Sequence, residues 1–378
     1  MKTVAIVGFC SITRNADLYG TYGGFFLDTY DFLSLKKDVD KNVEIVCFGA
    51  GMLFYKYVLE IEKIFSKTIA YVVDNDRDKI GREIEVGGKK YKVNSVESLV
   101  DEKDDFIVII TCADNKTIVR QIGELNSDIR YYRSGDILEA YHVWKAKMVV
   151  LPRSFRLVEN PIIPKVIHYC WFGKGKLPDR YREWMKSWKK YCPDYEIIEW
   201  NESNYDVYKN KYIGDAYRAR KWAFVSDYAR LDVIYEHGGI YLDVDVELLK
   251  NLDELLYAKG FIGFELFNCV DTGLGFGAVR NLPVIGEMRD IYNSMTFLDF
   301  VDEADYKKKR RSGQMKLCTD YQTDVLKRHG LVSDSFVFQQ IADLQVYPVP
   351  VLCGMVHSKN VLTSNTYSIH HYAASWLK

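Results

Sequence analysis

The sequence has no excess of either charge: across 378 residues, 51 Lys and Arg stand against 52 Asp and Glu, a formal net charge of −1. Nucleic-acid binding by electrostatics needs a broad basic field, so no nucleic acid is expected among the partners. Long hydrophobic runs are missing too. The longest, Phe106-Ile-Val-Ile-Ile110, has the length of a strand, against the ~18 residues that signal a membrane span. The opening run Thr3-Val-Ala-Ile-Val7 is too short for the apolar stretch of a secretory signal. The eight cysteines include no CxxC pair, and several sit in strand-like runs such as Glu44-Ile-Val-Cys-Phe48. Zinc and disulfide frameworks lack the spacing they need, which leaves free buried thiols and the expectation of a cytoplasmic protein. Internal repeats and low-complexity tracts are absent. Tyrosine is plentiful, with 28 residues beside 19 Phe; a buried ring with a polar tip suits wet clefts that hold polar ligands.

The length fits two domains, and strand and helix signals alternate in two blocks on either side of a connector. The first block, residues 1–150, holds strands around Glu44–Phe48, Thr68–Val73 and Asp105–Ile110 with helical patterns between them, which predicts a Rossmann-like parallel sheet covered by helices. Gly49-Ala-Gly51 lies between a strand and a helix, and Asp74 follows Gly51 by 23 residues, the setting of a dinucleotide-binding turn and its ribose-binding acid. Phe54 stands at the third glycine position. The readings are a nucleotide held by Gly49, Gly51 and Asp74, or a tight turn in a structural or docking domain. Residues 151–164, with Pro152, Pro161 and Pro164, read as a linker. The second α/β block, residues 165–378, opens with the strand Lys165–Trp171 and a helix from Asp179 whose Tyr181, Trp184, Met185 and Trp188 form one apolar stripe.

The richest stretch runs from Arg220 to Glu247. A helix is expected to end at Gly238, followed by one uninterrupted strand with Ile240, Leu242, Val244 and Val246 on one face and Tyr241, Asp243, Asp245 and Glu247 on the other. The Cα atoms of Asp243 and Asp245 would then be about 6.6 Å apart. Carboxylates so close repel unless a cation or proton lies between them, and Mg²⁺ or Mn²⁺ suits such a pair. The plainer reading is a solvated strand face.

Four segments occur in order: Lys165-Val-Ile-His-Tyr-Cys-Trp-Phe-Gly173, Ser226-Asp-x-x-Arg230, Gly238-Gly-Ile-Tyr-Leu-Asp-Val-Asp245 and Ser368-Ile-His-His-Tyr-Ala-Ala-Ser-Trp376. Together, over residues 162–378, they resemble the DXD-containing glycosyltransferases of family 32, which include bacterial capsule-type transferases and yeast-type mannosyltransferases. The clostridial glucosylating toxins are more distant relatives. The resemblance implies a GT-A type α/β fold, a nucleotide-sugar donor (a UDP-sugar favoured), Mn²⁺ or Mg²⁺, and front-face transfer with retention to a glycan or lipid-linked glycan in surface polysaccharide synthesis. It implies that Trp171 stacks on the donor base, that Asp227 and Arg230 hold sugar hydroxyls, and that Tyr241 lies against nucleotide or sugar. Asp243 would contact sugar, ribose or metal, and Asp245 would ligate the metal. Arg230 is alternatively a positive charge beside the leaving group, and Asp271 a candidate for the opposite face, or else a turn aspartate before Gly273. A C-terminal segment completes the metal sphere in such enzymes. His370 or His371 would be the third ligand, with His371 preferred, and Ser375 and Trp376 would cover the diphosphate.

The basic run Lys307-Lys-Lys-Arg-Arg311 reads most simply as a solvated loop. The sharper reading is a contact with acidic headgroups or a lipid diphosphate, giving peripheral attachment at the inner face of a membrane. The competing functions are an NAD(P)-dependent oxidoreductase working through the first domain and a catalytically inactive nucleotide-sugar-binding protein.

Overall fold

The computed structural model describes residues 29–41, 43–101, 105–266, 268–297, 316–357 and 359–373. The basic run at 307–311, Ser375 and Trp376 lie outside the described residues. The chain divides into two compact units between Lys145 and Ala146.

The first unit is built on strands β1 (Glu44–Phe48), β2 (Tyr71–Val73), β3 (Glu83–Val86), β4 (Lys89–Asn94), β5 (Phe106–Ile110) and β6 (Arg130–Arg133). They lie in the order β3-β4-β2-β1-β5-β6, all parallel except the β3–β4 hairpin. Alternate strand residues feed two cores. Ile45, Cys47, Val72, Ile107 and Ile109 join helices α1 (Thr29–Val39) and α2 (Met52–Phe65), while Val46, Phe48, Val73, Val108 and Ile110 face Leu99 of α3 (Ser98–Asp101) and Ile118 and Ile122 of α4 (Asn115–Leu125). A sheet covered on both faces needs apolar residues at consecutive positions, which is why these strands read as unbroken runs. Helix α5 (Ser134–Lys147) closes the unit, with Ile137, Leu138 and Ala140 in the first core.

In the second unit, residues 151–164 form no helix or strand but are tied down: the Leu157 amide donates to the Tyr257 carbonyl and the Ile162 amide to that of Leu256, both at 2.9 Å. The unit continues through β7 (Val166–Cys170), α6 (Asp179–Tyr191), β8 (Glu196–Trp200), α7 (Lys211–Arg218), α8 (Trp222–His237), β9 (Gly239–Tyr241), β10 (Val246–Leu248), β11 (Gly260–Phe264), β12 (Val270–Ala278), α9 (Pro283–Asp290), a helix at Cys318–Arg328, β13 (Gln339–Ile341) and β14 (Leu344–Tyr347). Two short strands, β15 (Met355–Val356) and β16 (Lys359–Asn360), precede β17 (Ser368–His370). A seven-stranded mixed sheet has the order β13-β14-β11-β12-β9-β7-β8, and β10 leaves it to pair with β17. The protein is thus α/β in both units, as the sequence implied. The mixed sheet is consistent with a GT-A type architecture.

Helix α8 ends where its sequence dictates, at Gly238 (φ 68°), and Gly239 follows with φ 101°. Both dihedrals favour a residue without Cβ. A Cβ on Gly239 would also lie 2.9 Å from His168 Nε2, so the reversal from helix to strand passes tight against β7. The expected long strand does not form. β9 stops at Tyr241, the chain turns with the Val246 amide donating to the Asp243 carbonyl at 3.0 Å, and β10 begins after the turn. Alternation fails with it: Tyr241 and Leu242 are both buried. The sequence pattern could not show that the strand changes partners, because β17 lies over 100 residues further on.

Candidate active site

Parallel strands β7 and β9 end side by side, and ligands of open α/β sheets bind in the crevice beyond such carboxyl ends. An open cleft of about 490 Å³ lies there, lined by the loop after β7, the start of α8, the turn after β9, β12 and the helix from Cys318. Its volume is in the range of small-molecule sites.

The turn brings the carboxylates of Asp243 and Asp245 to the imidazole of His370, with one donor atom from each within 4.8 Å of the others. His370 Nε2 lies 3.1 Å from Asp245 Oδ1. Among the described residues its Nδ1 is buried without a hydrogen-bond partner, so the ring keeps a second nitrogen in hand. The preference for His371 is corrected. Neighbouring residues of a strand face opposite ways, and His371 turns to Glu247 (Nε2 to Oε2, 2.8 Å) and stacks on Trp184. The two carboxylate oxygens suit Mn²⁺ or Mg²⁺, and the imidazole nitrogen favours Mn²⁺, because Mg²⁺ takes oxygen ligands.

Burial raises the Asp243 carboxyl above its usual range despite the nearby Arg230 charge, and Asp245 adds to the rise. Burial also opposes ionisation of Asp245, but His370 and the Ala373 amide outweigh it and hold the carboxyl low. His370 follows the same balance: burial disfavours its charge, and Asp245 overcomes this, raising it to about 9.

Arg230 is 5% exposed and sits at the centre of the acids. One Nη lies 3.1 Å from Asp227 and 3.4 Å from Asp243, Nε donates to the Ser226 carbonyl, and the other Nη faces the Thr272 hydroxyl at 3.4 Å. Gln322 donates to that hydroxyl at 2.9 Å, so the helix at Cys318–Arg328 supports the guanidinium indirectly. Asp271 lies within β12 rather than in a turn, and its carboxylate accepts the Gly273 amide at 2.6 Å.

Trp171 lines the cleft as expected, its indole donating to the Gly175 carbonyl at 2.6 Å. Tyr241 is not where the sequence put it. It is 1% exposed, and its hydroxyl donates to Asp243 Oδ1 at 2.9 Å, so it supports an acid instead of touching a ligand. Sequence reasoning missed Trp222 and Gly273. A Cβ on Gly173 would lie 2.6 Å from the Trp222 ring, so the loop after β7 lies flat on a second cleft-lining indole. The Arg220-Lys-Trp222 run ahead of α8 was the available signal.

In the first unit, Gly49 has φ 108° and its backbone approaches Thr111 and Cys112. The Asp74 carboxylate accepts the amides of Ala50 (2.7 Å) and Asp76 (2.8 Å) and pairs with Lys79 at 3.1 Å. These partners hold it below the usual carboxylate range against its burial. The acid expected to bind ribose instead pins the glycine turn beside Gly51.

Residues 178–262 match the model of the glycosyltransferase sugar-binding region containing a DXD motif. Inositol phosphoceramide mannosyltransferase 3 of Schizosaccharomyces pombe is 29% identical over 33% of this chain and 38% of its own length. Inositol phosphoceramide mannosyltransferase 2 of the same yeast is 33% identical over 26% of this chain and 29% of its own. The chain thus spans about a third of the length of these curated relatives. An uncharacterized glycosyltransferase of Acanthamoeba polyphaga mimivirus is 24% identical over 57% of this chain and 84% of its own. Among solved structures, the PaToxG glycosyltransferase covers 50% of the chain at 19% identity and a TM-score of 0.31. Residues 178–262 of this chain are therefore similar to a glycosyltransferase sugar-binding region, and Asp243-Val244-Asp245 within that span has the Asp-x-Asp pattern of its DXD motif.

Proposed function

We propose that the protein is a metal-dependent retaining glycosyltransferase that moves a sugar from a nucleotide-sugar, a UDP-sugar by preference, to a glycan or lipid-linked glycan in surface polysaccharide synthesis. The observation that carries this reading is the convergence of Asp243, Asp245 and His370 at a cleft that also holds Arg230 and Trp171. Asp243, Asp245 and His370 would hold Mn²⁺ or Mg²⁺, which when bound supplies Lewis-acid neutralisation of a departing diphosphate. Trp171 offers an indole face for the base. Arg230, fixed by Asp227 and Asp243, keeps a positive charge at the reacting end without having to reorganise. Asp227 and Asp271 offer acceptor oxygens for sugar hydroxyls, and the four carboxylates that line the cleft with Arg230 favour a neutral sugar over a uronic acid. Two of the named relatives are mannosyltransferases, which makes mannose a donor sugar to include in the assay.

The test is a panel of UDP- and GDP-sugars assayed for Mn²⁺-dependent nucleotide release, with Asp245→Asn as control. One donor should turn over, and the variant should lose about 100-fold. Equal release by the variant would sink the metal-site assignment. The oxidoreductase reading loses support because Asp74 is already engaged by its own loop.

A further inference from the structure

Two adjacent imidazoles, His370 and His371, are chemically equivalent ligands, and a one-residue slip of β17 against β10 would exchange them. β17 has only three residues and pairs with three, a ribbon that has little stability of its own. Something outside the ribbon must select the register. The His371 ring lies flat on Trp184, with centroids 4.2 Å apart and planes inclined by 10°. Arg180 lies over the same indole at 4.7 Å. The far edge of the imidazole reaches Glu247 at 2.8 Å, and the His371 amide donates to the Asp245 carbonyl at 3.0 Å. Trp184 belongs to α6, which packs against β10, so the stack ties the strand to a helix.

We propose that His371 is a positioning residue: clasped between Trp184 and Glu247, it locks β17 in the register that turns His370 toward Asp245. The proposal rests on the metal-site reading above. Its chemistry is a flat ring on an indole slab with one nitrogen at a carboxylate, and His371 is not one of the cleft-lining residues.

The experiment uses the full chain with Mn²⁺ as the probe. Mn²⁺ binding is followed by titration calorimetry, and the metal KM and kcat of nucleotide release are determined separately. His371→Ala should weaken Mn²⁺ binding about tenfold, the scale of outer-shell partners of metal ligands, chiefly by raising the metal KM while kcat at saturating metal is retained. His371→Phe, which keeps the flat ring, should recover most of the loss. Trp184→Ala should match His371→Ala, and the double variant should be no worse than either, because both remove one interaction. Should His371→Ala not fold, Trp184→Ala and His371→Phe carry the same test.

Wild-type Mn²⁺ affinity in His371→Ala overturns the proposal, as does failure of Phe to rescue or full additivity of the two losses. His370→Ala and Asp245→Asn separate the two ideas. If they lose the metal while His371→Ala keeps it, the clasp alone falls; if they bind Mn²⁺ normally, the metal-site reading falls and the clasp with it.

Discussion

A Cβ placed on Gly273 would sit 2.6 Å from Asp243 Oδ2, 3.1 Å from Asp271 Oδ1 and 3.4 Å from Arg230. This glycine is needed for space, because β12 runs directly beneath the acid cluster. Gly273→Ala should push the Asp243 carboxylate aside and lower nucleotide release by about 100-fold, the scale of a misplacement near 1 Å. Measured kinetics within twofold of wild type would show that the cluster tolerates the shift. Its role was not legible in the sequence, since the crowding exists only once β12 lies beside the turn after β9. Asp243 and Asp245 were singled out because the pair stands among four ordered motifs; alone, it read most plainly as a solvated strand face. A second residue-scale prediction concerns His168. Trp200 donates to its Nδ1 at 3.0 Å, so Nε2 carries the hydrogen and donates to the Gly238 carbonyl at 3.0 Å. Burial lowers its pKa to about 4. Between that value and the ordinary ~6.5, the unfolded chain binds a proton that the folded chain refuses. Stability is therefore complete above ~6.5 and declines as pH falls toward 4, by up to about 3 kcal/mol. Urea melts at pH 7.5 and 5 should show a loss that His168→Gln, which does not titrate, reduces.

Helices α6 and α8 were readable because their signals are local: an apolar stripe at helical spacing in one, a terminal glycine in the other. The segment from Gly239 to Leu248 was misread for the opposite reason. Its alternating pattern suited one strand, but pairing with β17 draws its second half out of the main sheet and bends the acids into a turn. The choice between His370 and His371 depended on that same distant register. Removing residues 369–378 should therefore do more than take away a ligand. It strips Glu247 and Val246 of their strand partners and removes Ile369, which is 5% exposed. Loss of one such apolar side chain costs about 2 kcal/mol, so the melting temperature should fall by about 5 °C as Mn²⁺ binding disappears. Unchanged melting would mean that β17 is an attachment with no part in holding the unit.

At the scale of the whole molecule, the near-balance of charge is compatible with the proposed function, in which a diphosphate would be neutralised locally. Among the described residues, Arg230 is the cation buried beside the cleft's acids, while Arg220, Lys221 and Lys316 line the cleft from exposed positions. Buried charges are screened little by salt. The donor KM should therefore change by less than about threefold between 50 and 300 mM NaCl; a steep rise would reveal long-range steering. Tyrosine abundance pointed to a polar cleft, yet much of it builds support: Tyr241 carries an acid, Tyr292 is buried, and Tyr217 shares Glu202 with the amide of Gly173.

Asp245 and His370 are 125 residues apart in the chain. A ribosome working from the N-terminus delivers the Asp-x-Asp pair long before the imidazole, so a nascent chain carries the span that matches the family model while still lacking His370. Any N-terminal fragment cut between Ile262 and Ile369 is in the same position. Such products would still match the same family model and, on the metal-site reading, would lack its imidazole ligand.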